Sequence, residues 1–156
     1  MELRGKKITV AGFGKTGLAL AKFLLYRGSE VTVSDSEPEA QFGDSARQMR
    51  KLGAYLELGG HSLKTFENAD LVVLSPGVPH TIEPLNAARR SGVSIIGEIE
   101  LAGRFINTPM VAVTGTNGKS IVTRMIGKML EKSGFSVFLG GNLGTPLISY
   151  ADSEQD

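Results

Sequence analysis

The chain contains no cysteine and no tryptophan, only 6 prolines, and no excess of charge of either sign. Without cysteine there are no disulfides and no thiolate metal sites, which suits a cytoplasmic protein. Lys and Arg number 17 against 16 Asp and Glu, for a net charge of +1. The basic residues form no stripe, so the electrostatic footprint of a nucleic-acid binder is missing and no nucleic-acid partner is expected. No apolar run approaches the ~18–20 residues of a membrane span, so no membrane partner is expected. The polar start, Met1 to Lys7, runs straight into a strand-like stretch and shows no leader pattern. Hydrophobic residues nevertheless make up 41% of the chain, enough for a core. Glycine alone is over-represented, 20 of 156 residues against a usual ~7%. In a core-forming chain that excess marks particular backbone positions.

Short apolar runs alternate with helical patterns. Lys7–Ala11, Glu30–Ser34, Leu71–Leu74 and Val93–Ile96 read as strands, and Lys15–Arg27, Ser45–Leu52 and Ile82–Arg90 as helices, most with a glycine stop. This β-α-β grammar predicts a Rossmann-like parallel sheet with helices on its faces. A second unit is expected to begin near Gly97: a helix over Glu98–Phe105, a strand over Met110–Val113, a strong amphipathic helix over Lys119–Ser133, and a strand over Phe135–Leu139. Val122, Met125, Ile126, Met129 and Leu130 fall on one face of that helix and read as core. Tyr150–Asp156 is polar and reads as a frayed tail. The fold class is therefore α/β: a Rossmann-like domain over 1–97, then the start of a P-loop α/β domain over 98–156.

Two glycine motifs stand at strand-to-helix junctions. Gly12-Phe13-Gly14-Lys15-Thr16-Gly17 is a G-x-G-x-x-G that permits a tight turn, close approach of a phosphate and close helix packing. Asp35 ends the second strand, where a carboxylate can accept from a ribose or a base. Ser75-Pro76-Gly77 follows another strand and would lie on the same sheet edge. This motif alone does not say which nucleotide binds. The second is Thr114-Gly115-Thr116-Asn117-Gly118-Lys119-Ser120, leading into the amphipathic helix. Backbone N–H groups and the helix dipole there hold phosphate oxygens, Lys119 reaches the outer phosphates of ATP, and the Ser120 hydroxyl can ligate Mg²⁺. Val113 stands where the general P-loop has its first glycine, so this is a narrower variant. Gly140-Gly141-Asn142-Leu143-Gly144 offers a further glycine loop, either a plain turn or one that turns the Asn142 amide toward a ligand. His61 and His80 have no partner pattern and read as loop residues; Glu98 and Glu100 read as helix-start carboxylates.

This order of motifs resembles the Mur ligases of peptidoglycan synthesis, over about residues 5–150. The resemblance rests on Gly12–Leu18, Ser75–Gly77, Gly97–Leu101, Thr114–Ser120 and Gly140–Gly144. It is nearest to the branch that adds D-glutamate to UDP-N-acetylmuramoyl-L-alanine. It is less like the muramate–alanine branch, whose phosphate loop usually has His where Asn117 stands. The resemblance implies that the first domain binds the UDP part of the substrate rather than NAD. Lys15 and Thr16 would then face the diphosphate, Asp35 and Ser36 hold the uracil, Ser75 and Gly77 line the pocket, and Asn142 reach in from the central domain. Gly115, Thr116, Asn117, Gly118, Lys119 and Ser120 would bind ATP, with Lys119 and Ser120 catalytic and Ser120 the metal ligand. The implied reaction is ATP-driven amide formation through an acyl phosphate. Two positions depart from the pattern: Glu37 follows Ser36 where Arg is frequent, and Ile121 follows Ser120 where Thr is usual.

The resemblance implies three domains, of which this chain matches the first and the beginning of the second, so it is expected to be inactive alone and to show self-association through uncovered central-domain surface or local disorder. Two other readings remain open on the residues themselves. One is an NAD(P)-binding oxidoreductase domain, from Gly12–Gly17 with Asp35. The other is a nucleotide-binding module without chemistry.

Overall fold

The computed structural model describes residues 1–141 and 144–153. Five parallel strands, β1 (Lys7–Ala11), β2 (Glu30–Asp35), β3 (Tyr55–Leu58), β4 (Leu71–Leu74) and β5 (Ser94–Gly97), form a sheet in the order β3-β2-β1-β4-β5. Among the described residues seven α-helices accompany them: α1 (Lys15–Tyr26), α2 (Gly43–Lys51), α3 (Leu63–Glu67), α4 (Glu83–Arg90), α5 (Glu98–Gly103), α6 (Lys119–Lys132) and α7 (Ile148–Ser153). The sheet is covered on both sides, as parallel sheets must be. Residues of α1, α2, α5 and α7 pack over one face against Ile8, Val10, Val31, Val33 and Val73. Phe66 of α3 and Leu85 and Ala88 of α4 pack over the other, against Val72 and Leu74. The four strands read from the sequence before Gly97 are all present; β3 and α3, two and three residues shorter than β2 and α4 respectively, are additions.

Three expectations for the second half are corrected. Met110–Val113 and Phe135–Leu139 form no strands. A strand exists only through a partner ladder, and two short apolar runs without neighbouring strands cannot supply one. Met110, Val111 and Phe135 are accordingly exposed. Helix α6 forms, but its apolar face is largely uncovered rather than core: Met125 is 57% and Met129 64% exposed. Gly127 is its one buried residue, lying against the Leu139 side chain. Finally, part of the expected frayed tail is ordered helix. In α7, Ile148 and Ala151 are fully buried in the core shared with α1 and α5. Arg27, stacked 3.5 Å above the Phe23 ring, pairs with Asp152 at 3.1 Å and ties α7 to the end of α1. The apolar members of α7 are spaced three apart in a polar stretch too short to reveal a helical period.

Candidate functional site

The strand order places the switch point between β1 and β4, the two strands from which the chain departs in opposite directions. Ligands of doubly wound sheets bind in the crevice outside the carboxyl ends of strands at such a point. Register fixes what meets there. Ala11 is level with Ser34 and Leu74, so Gly12, Asp35 and Ser75 are neighbours. Gly12 N–H donates to the Ser34 carbonyl at 2.8 Å, Ser75 N–H to the Ala11 carbonyl at 2.9 Å, and the buried Ser75 hydroxyl to the Gly12 carbonyl at 3.1 Å. Gly12 has φ +91°, and a Cβ there would lie 2.8 Å from the Val78 side chain. The first glycine of the motif is therefore required twice over, by conformation and by space.

A cleft of about 550 Å³ opens above this junction. Its lining brings together Lys15, Thr16, Asp35, Ser36, Ser75 and Gly77. Asn142 lies outside the described residues. The neighbouring loop nonetheless reaches the site, because the Lys15 ammonium donates to the Gly144 carbonyl. Asp35 does more than line the cleft. One carboxylate oxygen accepts Phe13 N–H at 2.6 Å and the other accepts Glu37 N–H at 2.9 Å. The side chain thus clamps the glycine loop to the turn after β2. His61, read from the sequence as an idle loop residue, also lines the cleft. No sequence signal pointed to it, because β3, the strand that delivers it, is itself missing from the sequence reading.

The second motif is a separate place in the structure. Thr114–Gly118 are exposed and take no part in the cleft. Gly118 adopts φ +78° immediately before α6, a left-handed turn that leaves the first-turn N–H groups of the helix facing outward. The Lys119 ammonium curls over its own loop and donates to the Gly115 carbonyl and, at 3.4 Å, to that of Thr116. Thr123 O–H bonds back to the Lys119 carbonyl at 2.8 Å, holding the first turn. Outward N–H groups, a helix dipole and a lysine over the loop fit polyphosphate oxygens. Ser120 is exposed beside them and supplies one hydroxyl oxygen. Among the described residues no group of His, Asp or Glu gathers to hold a metal, so Mg²⁺ here would rest on Ser120, phosphate oxygens and water. No helix among the described residues is long and apolar enough to cross a membrane.

A doubly wound parallel sheet with a glycine-loop cleft at its switch point, followed by a glycine-rich loop heading a helix, defines a Rossmann-like α/β protein. Comparison with known proteins narrows the class. Residues 6–97 match the Mur ligase MurD-like N-terminal domain, and the chain belongs to that family. It is 54% identical over 154 residues to the UDP-N-acetylmuramoylalanine–D-glutamate ligase of Desulfatibacillum aliphaticivorans, covering 99% of this chain and 34% of the relative. It is 52% identical over 156 residues to the enzyme of the same name from Desulfosudis oleivorans, again covering 34% of it. The chain thus spans about a third of the length of these curated relatives. Among solved structures it resembles a pseudomurein peptide ligase type C from Methanothermus fervidus, with TM-score 0.55 and 30% identity over 83% of this chain and 27% of the other. It also resembles UDP-N-acetylmuramate–alanine ligase of Thermotoga maritima, with TM-score 0.55 and 29% identity over 87% of this chain and 32% of the other.

Proposed function

We propose that this chain supplies the UDP-binding domain and the ATP-binding loop of a cytoplasmic ligase that adds D-glutamate to UDP-N-acetylmuramoyl-L-alanine in peptidoglycan precursor synthesis. The observation that carries the reading is the coexistence of two glycine-loop features suited to phosphate, the cleft at the switch point and the loop heading α6. A dehydrogenase domain has use for only the first. Residues 1–97 form the substrate domain, with Lys15 and Thr16 at the diphosphate and Asp35, Ser36, Ser75 and Gly77 around the nucleoside. Residues 98–156 begin the ATP-binding domain, lending α5 and α7 to the core of the first.

The chemistry is amide formation. A carboxylate oxygen of the alanyl group attacks the γ-phosphorus of ATP, ADP leaves, and the amine of D-glutamate then displaces phosphate from the acyl phosphate. Gly115–Gly118 offer N–H groups to the phosphates, and the Lys119 ammonium offsets charge that builds on the transferring phosphoryl group. Ser120 would hold Mg²⁺, which would supply further charge neutralisation. Titration with UDP and with NADH tests the assignment. Saturable UDP binding with no response to NADH is expected; the reverse would overturn it.

The 156-residue chain by itself is expected to give no ATP-dependent phosphate release with UDP-N-acetylmuramoyl-L-alanine and D-glutamate. Its loop before α6 is open to solvent, and among the described residues no group of three or more His, Asp or Glu gathers to hold a metal. Turnover above background would refute this. The uncovered face of α6, with Ile121, Met125 and Met129 each more than half exposed, is the surface through which the chain self-associates. Light scattering should accordingly give a mass above 16.6 kDa, and a monodisperse monomer would count against it.

A further inference from the structure

We infer that His61 is a nucleoside-reading residue of the cleft, its Nε2 accepting a hydrogen bond from an N–H or O–H donor on the nucleoside. The inference rests on the UDP-binding reading above and adds a residue to it.

The case begins with one hydroxyl. Ser34, fully buried at the end of β2, has Oγ 3.1 Å from Glu57 Oε1, 2.8 Å from His61 Nδ1 and 3.5 Å from the Gly60 carbonyl. A serine hydroxyl has a single proton to give. An ionised Glu57 and the Gly60 carbonyl can only accept, and Glu57 already accepts Ser62 N–H at 2.6 Å and Thr65 O–H at 2.5 Å. Only the histidine can donate to Ser34. The consistent arrangement has Ser34 O–H donating to Glu57 and His61 Nδ1–H donating to Ser34 Oγ. In a neutral imidazole that arrangement leaves the lone pair on Nε2. Among the described residues Nε2 has no hydrogen-bond partner, while the ring lines the cleft and rests edge-on against Phe66, 5.7 Å between centroids. The imidazole is therefore held on two sides with one acceptor nitrogen unused.

Its place in the cleft selects what it meets. Gly60 is bridged to Asp35, so His61 stands beside the end of β2, whereas the phosphate-facing Gly12–Thr16 loop starts from β1. An acceptor beside Asp35 and Ser36 lies at the nucleoside end. Uracil N3–H and the ribose hydroxyls are the donors available there. The charged groups around the ring are Glu57 on β3, one hydroxyl away, with Asp35 from β2 and Lys15 from α1 lining the same cleft.

A ligand-by-variant cycle on the chain itself provides the test. UDP, 3-methyl-UDP, 2′-deoxy-UDP and pyrophosphate are titrated against the native chain and His61→Ala. His61→Ala should bind UDP roughly 10-fold more weakly, a single-hydrogen-bond effect, and bind pyrophosphate as the native chain does. One of the two UDP analogues should be discriminated against by the native chain and not by His61→Ala, which identifies the donor as the base or the sugar. Unchanged UDP affinity in His61→Ala, or discrimination against both analogues equal to that of the native chain, overturns the inference while leaving the UDP site standing. Absence of UDP binding by the native chain overturns both.

Discussion

Gly17→Ala is expected to cost on the order of 3 kcal/mol or more, enough to unfold much of the chain. A Cβ at Gly17 would lie 1.9 Å from the Gly12 carbonyl oxygen and 2.9 Å from its carbon, both backbone atoms. That oxygen is also the acceptor for the Ser75 hydroxyl. The methyl group cannot be accommodated by a side-chain rotation. Either α1 lifts from the end of β1 or the loop between them distorts, and each route opens the junction of β1, β2 and β4 under the cleft. Gly14 provides the comparison. It has φ −71°, and a Cβ there meets nothing within 4 Å. Gly14→Ala should therefore fold with a loss below about 1 kcal/mol and, on the proposed UDP-binding reading, weaken diphosphate binding, since the added methyl would stand where a phosphate would approach the backbone. Denaturant midpoints of the two variants, with a UDP titration of the second, check the pair. Near-native stability of Gly17→Ala would show that α1 does not need this contact.

The same motif shows why much of the site can be read from sequence. Each glycine of Gly12–Gly17 answers a local demand, for turn, approach or packing, and local demands leave local patterns. Four of the five strands announce themselves similarly, as β-branched runs bounded by glycine. What escapes is what depends on distant partners. Met110–Val113 has the composition of a strand, yet composition does not say whether a neighbour is there to pair with it. The apolar stripe of α6 is real as a pattern, but its burial is a property of whatever covers it. His61 reaches the cleft only because the four-residue edge strand β3 adds on to β2. Asp35 was legible by position as a residue of the cleft, while its clamp on Phe13 and Glu37 depends on a backbone turn that no spacing rule encodes.

Glu98 carries the second large effect, and its role was read from the sequence only as a favourable charge at a helix start. It does begin α5, but it is 3% exposed. Its Oε1 accepts Ile148 N–H at 2.7 Å, and the carboxylate also bonds the Leu147 backbone. It therefore caps α7 from across the fold and satisfies donors that α7 brings into the core. Glu98→Ala orphans those donors at about 1–3 kcal/mol each and should release α7, exposing Ile148 and Ala151 and breaking the Arg27–Asp152 pair. Faster amide exchange over Ile148–Ser153 would report it. Glu98→Gln separates the cap from the charge, since it retains an accepting oxygen and never ionises. Burial pushes the Glu98 carboxyl above its usual 4.5, against the downward pull of the Ile148 and Leu147 N–H groups. The folded chain thus holds this proton more tightly than the unfolded chain does. The stability this contributes is fully present below 4.5 and is lost as pH rises through the raised value. Relative to Glu98→Gln, the native chain should gain stability as pH falls from neutrality toward the usual carboxylate range. A difference between the two that stays constant with pH would mean that the buried carboxylate is not titrating there, and that its bonds to α7 rather than its burial set its charge.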